Sequence, residues 1–144
     1  MSKTLSRYVL PVRIYLEDTD AQGIVYNAAY FRFMERSRTE WLRGQGIDHN
    51  QLREKMGIVL VVARMETQFK SPAQLDDLLY VAVDDVRVTG ARFFFEQSVR
   101  REAGDGKVIC EGICEVTCMD TERHRLQRFP STIMDKLNFF EKRG

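Results

Sequence analysis

The chain has 144 residues, 44% hydrophobic and 30% charged, with a formal net charge of +1. That is one soluble globular domain, residues 1–144, with no room for a second core. The near-zero charge, without a long basic run, excludes nucleic acid as an obligatory partner. The longest apolar run, residues 58–63, is too short to span a bilayer. No apolar leader with a small-residue cleavage site opens the chain, so the cytoplasm is the expected location.

Residues 8–16 predict a first strand, with Val12, Ile14 and Leu16 on one face and Arg13 and Tyr15 on the other. Pro11 lacks a backbone donor and suits an edge. The stretch EDTDAQGIVYNAAYFRFMERSRTEWLRGQG, residues 17–46, joins a carboxylate-rich turn to a long amphipathic helix. At about 100° per residue, Tyr30, Phe31, Phe33, Met34, Ser37, Trp41 and Leu42 fall on one half of the cylinder. Arg32, Glu35, Arg36, Thr39, Glu40 and Arg43 fill the other. Arg38 sits among the apolar positions, either snorkelling at an edge or holding a partner. Asn27 reads as the cap that starts the helix, and Gly44 and Gly46 end it.

Residues 47–57 read as a connection of mixed polarity. Residues 58–70 predict a second strand, apolar on both faces at first. It then alternates Met65, Thr67 and Phe69 against Arg64, Glu66, Gln68 and Lys70, until Ser71-Pro72 breaks it. Residues 78–88 predict a third strand with a bulge at Asp84-Asp85, and residues 91–101 a fourth with Phe93, Phe95 and Val99 on one face. Ala103-Gly104-Asp105-Gly106 is a hairpin turn into a fifth strand, residues 107–119. Pro130 opens a tail helix with Ile133, Met134, Leu137 and Phe140 on one side. Strand, long helix and four strands in meander make an α+β domain, an antiparallel sheet covered on one face by the helix.

Cys110, Cys114 and Cys118 share one face of the fifth strand with Val108, Gly112 and Val116. Neighbouring cysteines there stand roughly 13 Å apart, twice the reach of a disulfide or a shared metal. Free, buried thiols are expected.

Chemistry narrows quickly. His49 and His124 lie in polar segments with no neighbouring nucleophile or second ligand, and both read as solvated. There is no G-x-S-x-G elbow, no phosphate-binding glycine loop and no CxxC. What remains is EDTD. Asp18 and Asp20 can be a solvated turn whose charge suits the helix dipole. A D-x-D pair can also bind a divalent cation, but no third ligand is evident. A third reading is acid chemistry. Gly23 lets backbone approach a ligand, and the helix start near Asn27 offers N–H donors able to hold an oxyanion. A carboxylate beside those donors can attack a carbonyl or activate water. That is the minimum equipment for hydrolysing a thioester.

VRIYLEDTDAQGIVYNAAYFRFMERSRTEWL resembles the signature of the 4-hydroxybenzoyl-CoA thioesterase family of hotdog-fold proteins, near its Tol–Pal-associated branch of short bacterial acyl-CoA thioesterases. The resemblance runs on through VVARMETQFKSPAQLDDLL and the later strands. It implies a hotdog fold, an antiparallel sheet wrapped around the long helix. It also implies homodimers joined edge to edge, often homotetramers, with the active site at the protomer boundary. Position by position, Asp20 matches the catalytic carboxylate, acting as nucleophile or general base. The backbone N–H of Asn27 matches the donor to the thioester oxygen, and Gly23 shapes the turn. The Tol–Pal-associated branch usually carries histidine where this chain has Asn27, so acid–base help from that side chain is absent.

The activity so implied is hydrolysis of an acyl-CoA to free acid and coenzyme A. It takes no metal and no other cofactor, since coenzyme A belongs to the substrate. Arg64, Arg87 and Arg92 are the surface cations that could meet its phosphates, and each could equally be a solvated surface residue. Two rivals stand beside this reading. One is a hotdog hydratase or dehydratase, which would call for an Asp–His pair. The other is a non-catalytic acyl-thioester binder or envelope-complex partner.

Overall fold

Five strands form one antiparallel sheet: β1 (Tyr8–Arg13), β2 (Ile58–Phe69), β3 (Leu78–Val88), β4 (Arg92–Arg100) and β5 (Val108–Asp120). Three helices accompany it, α1 (Asn27–Gly44), α2 (His49–Met56) and α3 (Ser131–Arg143), with a short 3-10 turn at Leu16–Asp18. The computed structural model describes residues 7–102 and 106–143, with side chains as far as 137. Most of the predicted turn at residues 103–106, and the Phe140 side chain, lie outside the described residues.

The spatial order is β1-β3-β4-β5-β2. Three of the last four strands do form a meander, but β2 does not join it. It crosses to the far side and pairs with β5, Ile58 opposite Asp120 and Phe69 opposite Cys110. The expectation of four consecutive neighbours is corrected accordingly. Pairing is decided by which edge remains open after β3, β4 and β5 zip together, and a strand's own pattern does not carry that information. Close approach of β2 to β5 depends on Gly112, where a Cβ would stand 2.1 Å from the Glu66 carbonyl oxygen.

β1 is shorter than predicted. It lies at an edge, as Pro11 suggests, and Leu16 leaves it for the 3-10 turn. The expected bulge in β3 appears as a register shift between Val83 and Asp85. Residues 47–57 are not a plain connection. Asp48 accepts a hydrogen bond from the Gln51 N–H at 2.9 Å, α2 follows, and Gly57 ends it with φ 65°. α2 buries only Leu52, so no apolar stripe announces it.

α1 lies along one face of the sheet and divides the core. Toward its N-terminus, Ala29, Tyr30, Phe33 and Met34 pack with Val12, Ile14, Leu79, Val81, Val99 and Cys110. Toward its C-terminus, Trp41 and Leu42 pack with Phe93, Phe95, Cys114 and Cys118, and α3 closes that end with Ile133 and Leu137. Ser37 sits between the two, donating to the Val81 carbonyl at 2.9 Å. All three cysteines are buried and unbridged. Burial raises each thiol, Cys110 to about 12 and Cys118 to about 11. Among the described residues, no helix is long and apolar enough to cross a membrane.

Candidate active site

The segment between β1 and α1 folds back on itself through short-range bonds. The Asp20 N–H donates to the Ile24 carbonyl at 2.9 Å, and the Gly23 N–H to the Asp20 carbonyl at 3.0 Å. Gly23 takes φ 77°, a left-handed conformation that most side chains resist, so a glycine suits the turn. Its carbonyl then accepts from the Leu75 N–H at 3.0 Å, pinning the turn to the chain ahead of β3.

The two aspartates of this segment differ in kind. Asp20 is exposed, and its Oδ1 accepts from the N–H groups of Gln22 at 2.9 Å and Ile24 at 3.2 Å. Among the described residues no partner meets Oδ2. The carboxylate is therefore oriented through one oxygen and open through the other. Asp18 is only 5% exposed. Its carboxylate accepts from the Tyr15 N–H at 2.9 Å and from Arg32 at 3.2 Å.

α1 begins with Asn27, but Asn27 is not its cap. The capping position belongs to Tyr26, which makes no side-chain capping bond, and Asn27 is the first helical residue. Extended backbone at Tyr26, φ −83° and ψ 152°, makes it the cap, so the helix starts one residue earlier than the cap preference of asparagine predicts. The Ala29 N–H donates to the Tyr26 carbonyl at 3.0 Å. The Asn27 and Ala28 N–H groups are left without an acceptor among the described residues, and the helix dipole adds to the positive field there.

A cavity of about 630 Å³ opens between α1 and β2. Phe31, Arg32, Glu35, Arg38, Thr39 and Leu42 line it from the helix, and at about 100° per residue all of these but Arg32 and Thr39 lie on the same stripe as Asn27. Leu60, Val62 and Met65 of β2 supply the opposite wall. Arg38 is 6% exposed. It donates to Gln97 Oε1 at 2.9 Å, and Gln97 Nε2 in turn donates to the Met34 carbonyl at 3.0 Å. Its odd place in the apolar stripe thus has a partner. Burial still pulls the guanidinium below its ordinary value.

His49 is exposed in the first turn of α2, 3.4 Å from Thr39 Oγ1, and lines this cavity. His124 occupies an exposed turn with φ 54°. Composition gave no sign of the cavity. The available signal was the helical stripe from Asn27 through Phe31 to Arg38.

The three arginines proposed for phosphates gather elsewhere. Phe93 and Phe95 face the core, so Arg92 and Phe94, which alternate with them, face away from α1. Arg64 pairs with Glu66, Arg92 with Glu115, and Arg87 lies 5.3 Å over the Phe94 ring. A shallow depression of about 200 Å³ joins Arg64 and Arg87.

The profile of the thioesterase-like superfamily matches residues 14–137. The chain is 36% identical over 126 residues to the acyl-CoA thioesterase YbgC of Haemophilus influenzae, covering 88% of this chain and 90% of that protein. It is 34% identical over 134 residues to the acyl-CoA thioester hydrolase YbgC of Escherichia coli, covering 93% and 96%. Among solved structures, a probable thioesterase from Bartonella henselae superimposes with a TM-score of 0.77 at 34% identity, covering 87% of this chain and all of that one. A 1,4-dihydroxy-2-naphthoyl-CoA thioesterase from Synechocystis, at 16% identity and a TM-score of 0.81, shares the fold. With its five-stranded antiparallel sheet wrapped on α1 and the family profile spanning the site and nearly all of the sheet, this chain belongs to the thioesterase-like superfamily of hotdog proteins.

Proposed function

We propose that this chain hydrolyses an acyl-CoA thioester to a free acid and coenzyme A, with Asp20 as base or nucleophile and the Asn27 N–H as donor to the thioester oxygen. One observation carries the reading. Two N–H groups at the head of α1 have no acceptor among the described residues, and the cavity opens one turn further along the same helical stripe at Phe31. Asp20, which like Asn27 does not itself line the cavity, presents one oxygen without a partner among the described residues on the loop that enters the helix. The relatives named as acyl-CoA thioesterases supply the substrate class.

In the base-catalysed form, Asp20 takes a proton from water as the oxygen attacks the carbonyl carbon. The oxyanion that forms is held by the Asn27 N–H. Its collapse breaks the C–S bond and expels the thiolate, which is then protonated. In the nucleophilic form Asp20 itself attacks, and the C–S bond breaks to expel the thiolate, which is then protonated. Water hydrolyses the resulting mixed anhydride to free acid and the Asp20 carboxylate. Neither route uses a metal ion or redox group. The cavity takes the acyl group, and Gly23 keeps the turn tight enough to hold the carboxylate in place. Arg64, Arg87 and Arg92 stay the proposed contacts for coenzyme A phosphates, in competition with Glu66 and Glu115 for the first and last.

The assembly is proposed as a homodimer, or a pair of dimers, formed through β2. Among the described residues this strand, 12 residues long, has no partner on its outer edge, and Val61 and Val62 on it are 40% and 48% exposed.

Release of free thiol from a panel of acyl-CoAs tests the activity. Asp20→Asn should lower kcat by about 10²–10⁴-fold and leave KM nearly unchanged. Wild-type turnover in Asp20→Asn would remove the aspartate from the mechanism, and a wild type inert across the panel would remove the activity.

A further inference from the structure

Asp18 stands two residues before the proposed catalytic carboxylate, and its burial needs an explanation. A buried carboxylate is costly to desolvate unless hydrogen bonds and an opposite charge offset the loss. Here both are present. The Tyr15 N–H donates to Oδ2 at 2.9 Å and Arg32 Nη2 to Oδ1 at 3.2 Å. The Asp18 carbonyl accepts from the Tyr26 N–H at 3.3 Å. One residue thus ties the segment just after β1, the residue preceding α1 and the second turn of α1.

Arg32 and Tyr26 complete the tie. Arg32 Nη1 donates to the Tyr26 hydroxyl at 3.0 Å, and its guanidinium lies 5.7 Å from the centre of the Tyr26 ring. The same hydroxyl donates to the Glu17 carbonyl at 3.2 Å. The planar guanidinium engages a carboxylate and a phenol at once, a geometry that its fork of donors permits and a lysine ammonium does not reproduce. These bonds fix the loop on both sides of the reacting groups. Asp20 follows Asp18 by two residues, and the Asn27 N–H shares a peptide plane with the Tyr26 carbonyl.

We infer that Asp18, Arg32 and Tyr26 are positioning residues, a clamp that sets the Asp20 carboxylate at its working distance from the Asn27 N–H. The inference rests on the hydrolase reading above. Asp18 and Tyr26 are absent from the cavity lining, so their effect on turnover passes through the clamp and not through substrate contact, whereas Arg32 also lines the cavity. Misplacement of a reacting group by about 1 Å can cost about 10²-fold in rate. A merely stabilising ion pair would instead change the folded fraction.

The experiment is a cycle of Asp18→Asn, Arg32→Gln and the double variant, assayed by thiol release, with Arg32→Lys alongside. Asparagine keeps the shape of Asp18 and an acceptor for Tyr15. Each single variant should lose about tenfold or more in kcat with the melting temperature nearly constant, and Asp18→Asn, which does not touch the cavity, should keep KM within about twofold. The double should be no slower than the slower single, since both remove the same restraint. Arg32→Lys should recover only part of the rate. Unchanged kcat, losses that multiply in the double variant, or losses tracking the melting temperature would each overturn the clamp.

Tyr26→Phe, which removes one hydroxyl, serves if Asp18→Asn does not fold. It should show a smaller kcat loss with the same constancy of KM. Hydrogen exchange over residues 18–28 separates the two levels of the argument. If the wild type hydrolyses nothing on the panel, the activity falls. Exchange then decides the restraint itself: faster in Arg32→Gln sustains it, and unchanged rates overturn it.

Discussion

At the C-terminal half of α1, Trp41 sits edge-on against Phe95 at 5.7 Å, and Phe93 stacks toward Phe129 at 4.6 Å. At the other end the helix starts without a side-chain cap, leaves two N–H groups unpaired among the described residues and follows a loop that carries an exposed carboxylate. One helix thereby carries a closed aromatic cluster at its tail and unsatisfied polarity at its head. A helix start that is left uncapped gives up stability of order 1 kcal/mol, which the packed end more than offsets. Stability and chemistry can then be changed separately by mutation.

The largest effect expected from breaking that separation is at Trp41. Trp41→Ala should cost about 3–5 kcal/mol in urea unfolding through loss of burial and the cavity left behind. Among molecules that remain folded, turnover should be near that of the wild type. A kcat falling as steeply as stability would show that the two ends are one unit.

Between the ends lies Arg38, held by Gln97. Gln97→Leu takes the acceptor from a buried guanidinium and should cost about 1.5–3 kcal/mol. Adding Arg38→Met should restore much of that loss, because an apolar pair can replace a buried charge and its partner. Thermal melts of the three variants check this. A double variant no more stable than Gln97→Leu would contradict the account.

Asn27→His makes the smallest change. Because Asn27 is the first helical residue and not the cap, its exposed side chain contributes little to helix start, and stability should move by less than about 0.5 kcal/mol. The backbone N–H survives the substitution, so turnover should stay flat. A tenfold gain in a pH–rate profile, with a new titration near about pH 6–7, would mean that an imidazole belongs in this site.

Much of this was legible because α1 obeys its period over five turns and its heavy side chains point one way. Trp41, Phe33 and Met34 were readable as core for that reason, and the D-x-D-x-x-G turn was readable from Gly23. By residue type and spacing alone Asp18 and Asp20 were not separable, and only the family resemblance singled out Asp20. Both are aspartates in one polar turn, and only the 3-10 turn at Leu16–Asp18, with Arg32 reaching back from α1, buries the first and leaves the second exposed. α2 escaped notice because eight residues with one buried leucine carry no periodic signal, although Asp48 and Gly57 bracket it as caps. The position of β2 was hidden for a different reason. Its partner β5 lies some fifty residues on in sequence, and long-range pairing is a property of the assembled sheet.

The row of cysteines on β5 has a consequence for an enzyme whose product is a thiol. Each turnover of the proposed reaction releases coenzyme A, and its oxidised form is a disulfide that any available protein thiolate could attack. With Cys110 raised to about 12, its thiolate fraction at neutral pH is on the order of 10⁻⁵. Cys118 is pushed up to about 11, Cys114 is raised as well, and all three are closed off from solvent in the core. Mixed disulfides with the leaving group are thereby suppressed twice, by ionisation and by access. The chain can accumulate product in an oxidising medium without becoming covalently capped by it.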